Sequence, residues 1–212
     1  LDICTKDGPV ELFLSLGGTP GSGGVWLPAL DSGTGVFDPS IDSPGIYTYT
    51  VAGTAPGPDV SATVNVSVIA EPNAGTDGVL DLCSNDSSVD LFASLGGTPD
   101  SGGIWTPALT SGTGIFDPSI DASGTYTYTV LGTGPCPDTS AEVVVTVTQE
   151  PNAGTNGTLE ICSNDSPIDL LASLGSTPDS GGIWTPSLTS GTGVFDPATD
   201  SAGIYTYTVA GI

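Results

Sequence analysis

Along Gly45-Ile46-Tyr47-Thr48-Tyr49-Thr50-Val51 apolar and polar side chains alternate, and nearly the same run returns at 124–130 and at 203–209. A period of two sets Tyr, Tyr and Val on one face and the threonines on the other, which predicts a half-buried strand at the centre of a sheet. The stretch 61–68 alternates strictly and predicts the last strand of the same unit. Leu1 to Cys4 reads as a short opening strand, 10–16 as a second with its apolar side inward, and Val25-Trp26 and Val36-Phe37 as two short ones. Asp38-Pro39 ends the last of these, because the residue before proline is held extended and proline cannot join an interior ladder. Between the strands lie clusters of glycine and proline at 17–24, 32–35 and 53–59, which read as turns and loops. Each unit should therefore contain six or seven strands and no long helix.

The pattern is periodic. Trp26, Trp105 and Trp184 stand 79 residues apart, as do Cys4, Cys83 and Cys162, so the chain carries tandem copies of one unit. That length suits a small sandwich better than a solenoid rung. An aspartate precedes the first tyrosine of the central strand by five residues in every copy (Asp42, Asp121, Asp200), and a glycine precedes it by two. The chain thus turns tightly and enters the strand at Tyr47, Tyr126 or Tyr205, where immunoglobulin-like sandwiches carry a tyrosine corner with its ring in the core and its hydroxyl bonded back to the turn. Those tyrosines, with Trp26, Trp105 and Trp184, are the expected core anchors. The expected architecture is all-β, with tandem immunoglobulin-like β-sandwich domains in an elongated array. The domains are 1–70, 79–149 and 158–212, the last without its final strand, and the chain is expected to be a slice of a longer one. Linkers 71–78 and 150–157 hold one proline each and no long Gly/Ser run, so they should be short, stiff joints.

Charge narrows the partners. There are 24 acidic residues against the single basic Lys6, no histidine, and a net charge of -23. Salt bridges cannot be the main support of such a fold. Nucleic acid and anionic membrane surfaces are excluded, since both require clustered Lys and Arg. No apolar run approaches the ~20 residues of a membrane helix. Without histidine, Ser-His-Asp and Cys-His catalysis are impossible. The carboxylates mostly precede proline or sit in turns, where shaping the backbone explains them. The glycine-rich loop 17–24 lacks the lysine and the following helix of a phosphate cradle. No enzymatic activity is expected.

Cys83 and Cys136 make an even pair within the second copy, and their spacing predicts a disulfide closing a loop of about 54 residues, worth roughly 4 kcal/mol by loop-closure entropy. Such a bond implies an oxidising, extracellular setting. The first copy has Gly57 where the second has Cys136, which leaves Cys4 unpaired, and the partner of Cys162 falls outside the chain. One or two thiols per unit fall short of a zinc cage. No cofactor is required, but calcium is a candidate at the first linker, where Glu71, Asn73 and Asp77 offer hard oxygens.

The runs Glu71-Pro72-Asn73-Ala74-Gly75-Thr76-Asp77-Gly78, Leu82-Cys83-Ser84-Asn85-Asp86, Gly102-Gly103-Ile104-Trp105 and Tyr126-Thr127-Tyr128-Thr129-Val130 together resemble the repeats of very large cell-surface proteins of marine Bacteroidota. Such proteins are typically exported by the type IX secretion system and often bear a gliding-motility-associated C-terminal domain. The resemblance covers the whole chain and implies tandem immunoglobulin-like or PKD-like modules in a surface adhesin or extracellular fibre. The function expected from it is the stalk of an extracellular bacterial adhesin. The alternatives are a subunit of a self-assembling extracellular filament, and a carbohydrate-binding module with exposed tryptophans. The expected partners are neighbouring repeats of the chain, other copies in a fibre, and a surface or glycan ligand.

Overall fold

The structure, a computed structural model, describes residues 1–33, 35–112, 114–191 and 193–211. Thr34, in the predicted turn 32–35, and Ile212, the last residue of the third predicted domain, lie outside them. The first repeat contains β1 (Asp2–Cys4), β2 (Val10–Glu11), β3 (Val25–Leu27), β4 (Val36–Phe37), β5 (Gly45–Val51) and β6 (Val60–Ile69). The second contains β7 (Gly78–Cys83), β8 (Val89–Asp90), β9 (Ile104–Thr106), β10 (Ile115–Phe116), β11 (Gly124–Val130) and β12 (Thr139–Thr148). The third contains β13 (Ile168–Asp169), β14 (Ile183–Thr185), β15 (Val194–Phe195) and β16 (Thr206–Thr208). The chain divides into two compact units, Leu1–Asp81 with Ser87–Thr146, and Leu82–Asp86 with Val147–Ile212.

In the first repeat one sheet has the order β1-β6-β5-β3 and the other pairs β2 with β4. The opening strand β1 runs parallel to the last strand β6, while β5 lies antiparallel to both β6 and β3. The second repeat repeats the order as β7-β12-β11-β9, with β8 against β10. The central tyrosine strand followed by a long last strand, with a second small sheet opposite, is the immunoglobulin-like sandwich that the alternation predicts. Its core in the first repeat is drawn from both sheets: Ile3, Leu12, Phe37, Tyr47, Val64 and Val66 are all buried in one cluster.

One predicted strand is shorter than its alternation suggests. Residues 10–16 extend only over Val10–Glu11 and then wind into a single 3₁₀ turn, Leu12–Ser15. A continued strand would drive Leu14 inward beside Leu12. The turn instead leaves Leu12 fully buried and Leu14 79% exposed, and sets Phe13 edge-on to Tyr49 with 5.4 Å between ring centroids.

The two tyrosines of β5 do different work. Tyr47 donates its hydroxyl hydrogen to the Ser43 carbonyl at 2.7 Å, and Tyr126 and Tyr205 bond Ala122 and Ser201 in the same way, which is the predicted corner. Tyr49 clamps the glycine-rich loop, accepting from Gly24 N–H at 2.8 Å and donating to the Gly21 carbonyl at 3.0 Å. The ring lies so close to this backbone that a Cβ at Gly24 would sit 2.5 Å from the Tyr49 ring, so the position requires glycine. Tyr47→Phe keeps the ring and removes one buried hydrogen bond. It is expected to cost about 1 kcal/mol in urea unfolding, with no change of fold by circular dichroism.

A carboxylate closes each corner from the other side. Asp42, buried, accepts from the N–H groups of Asp31 (2.7 Å), Ser32 (3.3 Å) and Asp38 (2.9 Å) and from the Ser32 hydroxyl. Asp121 and Asp200 repeat the arrangement. Burial is the largest single influence on Asp42 and Asp121 and opposes their ionisation, but the hydrogen bonds together outweigh it and hold both carboxyls below the ordinary range. At Asp200 the bond from Asp196 N–H leads, and the carboxyl is lowered to about 2.

Candidate functional site at the junction of the first two repeats

The junction is built at the far end of β1. Cys4 lies opposite Ile69, the last residue of β6, and Thr5 N–H bonds the Ile69 carbonyl at 2.9 Å. Thr5 Oγ1 accepts from Glu71 N–H at 2.9 Å, and Lys6 Nζ pairs with Glu71 Oε1 at 2.8 Å. The predicted linker 71–78 is then stitched to the second repeat. Asn73 donates its backbone N–H to Asp100 Oδ2 and its side-chain amide to the Thr98 carbonyl, both at 2.9 Å, and its own carbonyl accepts from Asp100 N–H at 2.7 Å. Thr76 and Gly96 exchange a pair of backbone hydrogen bonds, Pro72 O accepts from the Thr139 hydroxyl, and Asp77 accepts from Glu142 N–H. Ala74 is buried in the middle of this stretch.

A covalent bond crosses the same junction, and it corrects the predicted pairing. Cys136 is joined to Cys4 of the first repeat, with 5.0 Å between their Cα atoms, while Cys83 and Cys162 are free and exposed. The sense of the first strand is the cause. Because β1 runs parallel to β6, Cys4 ends level with Ile69, whereas Gly57, the counterpart of Cys136, precedes Val60 at the opposite end of that strand. Ten residues of extended chain, about 33 Å, lie between the two positions, so the cysteines of one repeat cannot meet. In the second repeat the same rule holds: Ser84 N–H bonds Thr148 O, at the end of β12. The loop that carries Cys136 reaches instead to the end of the preceding repeat, where its Sγ also lies 3.3 Å from the Ile69 carbonyl oxygen.

The other predicted site residues are dispersed. Of the calcium candidates, Glu71 faces Lys6, the Asn73 side chain is used by Thr98 O and Gly75 N–H, and Asp77 faces Glu142 N–H. No group of three or more Cys, Asp or Glu side chains able to hold a metal ion occurs among the described residues. Tyr47 and Tyr126 are buried, and Tyr205 is half-buried. Trp26, Trp105 and Trp184 are half-buried rather than enclosed: each lies tilted on the second tyrosine of its central strand, at 5.1, 5.0 and 5.0 Å between centroids. A shallow cleft opens beside each indole, of about 640 Å³ at Trp26, where Glu11, Phe13 and Leu30 complete it. Among the described residues no helix is long and apolar enough to cross a membrane.

Sequence reasoning missed Asp100, which pins the linker, and its counterpart Asp179, which bonds Asn152 N–H at 2.8 Å. A signal for them exists. At the equivalent position the first copy has Gly21, just as it has Gly57 in place of Cys136. Both departures fall where a repeat touches the one before it.

No protein-family model and no curated protein sequence matches the chain. Among solved structures the chain is similar to hemolin, an insect immune protein whose crystal structure is described as a domain arrangement with implications for homophilic adhesion. The likeness has 18% identity and a TM-score of 0.30, covering 53% of this chain and 32% of that one. At that TM-score it carries no weight for fold or function, which rest on the strand order and the junction.

Proposed function

We propose that the chain is a structural repeat region, the stalk of an extracellular bacterial surface adhesin, and that it is not an enzyme. The observation that carries this reading is the Cys4–Cys136 bond, which ties the opening strand of one repeat to a loop of the next across a linker already held by hydrogen bonds. A catalytic domain gains little from such a joint. A spacer under load gains resistance to bending and to being pulled apart. The disulfide also supports an oxidising, extracellular location, and the charge of -23 supports solubility and repulsion between neighbouring chains.

Light scattering with small-angle X-ray scattering on the oxidised chain tests the reading. A monodisperse monomer with an elongated scattering profile is expected. Growth into fibres would replace the stalk by the self-assembling filament, and a compact monomer would remove both.

A further inference from the structure

The cleft beside the indole is built three times over, and a passive spacer has no need of it. Its volume is about 640 Å³ at Trp26, about 660 Å³ at Trp105 and about 540 Å³ at Trp184. Every copy sets a carboxylate in the wall, Glu11, Asp90 or Asp169, and two residues further on an apolar side chain from the 3₁₀ turn, Phe13, Phe92 or Leu171. Glu11 is exposed and makes no capping bond, while Asp90 and Asp169 accept from the Phe92 and Leu171 N–H groups through Oδ1. The residue before each tryptophan also lines the cleft, and it is a large apolar side chain turned to solvent: Val25, Ile104 and Ile183 are 71, 57 and 71% exposed.

Glycine keeps the nitrogen edge of each indole clear. A Cβ on Gly35, Gly114 or Gly193 would lie 3.0, 3.2 or 3.2 Å from the indole Nε1, and φ at the three glycines is 80, 74 and 78°, a region that side chains avoid. Among the described residues none accepts a hydrogen bond from these indole N–H groups, and no polar side-chain atom without a partner is sealed from solvent. A free donor, a carboxylate acceptor and a flat apolar ring thus meet at one place in all three copies. Their surroundings limit the occupant. β3 and β9 are outer strands of their sheets, but each has three residues and is followed at once by Pro28 or Pro107, so a peptide strand has too short a ladder to extend. The net charge of -23 repels an anionic polymer. A cation would satisfy the carboxylate and leave the indole donor unused.

We propose that each of the three clefts binds a ring of a neutral glycan. The apolar C–H face of the sugar lies against the open part of the indole, one hydroxyl donates to Glu11, Asp90 or Asp169, and another oxygen accepts from the indole N–H. A sugar ring supplies all three complements at once. The repeats then hold glycan themselves, whether or not they also space a tip from the cell.

The test titrates the whole oxidised chain with neutral hexasaccharides of glucose, of mannose and of N-acetylglucosamine, and with a hexamer of mannuronate as the anionic counterpart. The chain has three tryptophans and each stands in a cleft, so the three indole N–H signals of an NMR spectrum report these sites and no others. At least one neutral hexasaccharide is expected to shift the three signals saturably, with a Kd of about 1 mM or tighter, and the mannuronate hexamer to bind about tenfold more weakly or not at all. Glu11→Ala is expected to weaken the response of the Trp26 signal about tenfold, as loss of a hydrogen bond to a charged group does. Ala29→Gln, which puts a longer side chain at an exposed position in the first cleft, is expected to abolish that response. In both variants the Trp105 and Trp184 signals should respond as before, which also shows that the fold survives. Absence of any saturable shift, equal affinity for the anionic hexamer, or a Trp26 response that both variants leave intact would overturn the proposal.

Discussion

Replacing Cys136 with Ser, or reducing its bond to Cys4, is expected to destabilise the first two repeats by about 5 kcal/mol, the loop-closure entropy for a separation of 132 residues. Cys83→Ser is expected to change stability by less than about 0.5 kcal/mol, since that side chain is exposed and free. A pairing within the second repeat would reverse the two results. The single lysine gives a direct check of the connectivity. Trypsin cleavage after Lys6 frees the peptide 1–6 from the backbone, yet Cys4 keeps it attached to the rest of the chain until reductant is added. Release of that peptide from the denatured, unreduced protein would sink the assignment. Equilibrium unfolding in urea, with and without reductant, supplies the energy.

Asp121→Ala is expected to cost about 3 kcal/mol, because it strands three backbone N–H groups and a hydroxyl that now share one buried carboxylate. Asp121→Asn keeps one acceptor oxygen and is expected to cost about half as much. The same carboxylates set the acid limit of the fold. Asp42 and Asp121 titrate below their unfolded value in the folded chain, and Asp200 at about 2, so the stability they supply is complete above about pH 4 and is lost as pH falls through the folded values. Urea midpoints measured from pH 6 to pH 2 should therefore fall steeply only below about pH 4, and the slope should be smaller in Asp121→Asn. A flat profile in the parent chain would show that the three aspartates are not the acid-sensitive supports.

What could be read in the chain follows from local rules. Alternation in 45–51 and 61–68 fixes which side chains turn inward whatever the partner strand, so the sandwich, its tyrosine corner and its central strands were legible. The 79-residue period made the copies legible for the same reason. The short 3₁₀ turn at Leu12–Ser15 was not, because alternation and a turn both bury Leu12 and differ only in where Phe13 and Leu14 go. The aspartate before each corner was visible as a turn residue, but not as a buried acceptor, since its donors at 31, 32 and 38 converge only in three dimensions.

The cysteines mark the boundary between the two kinds of information. Composition and spacing by themselves determined that this is an acidic, histidine-free array of β sandwiches with thiols at recurring places. Which thiols bond was decided by the tertiary structure alone. Sequence distance is blind to the direction in which the first strand lies against the last, and the parallel pairing of β1 with β6 carries Cys4 to the end that faces the next repeat. One strand's sense, set by packing rather than by any local preference, turns an expected clasp within a domain into a clasp between two.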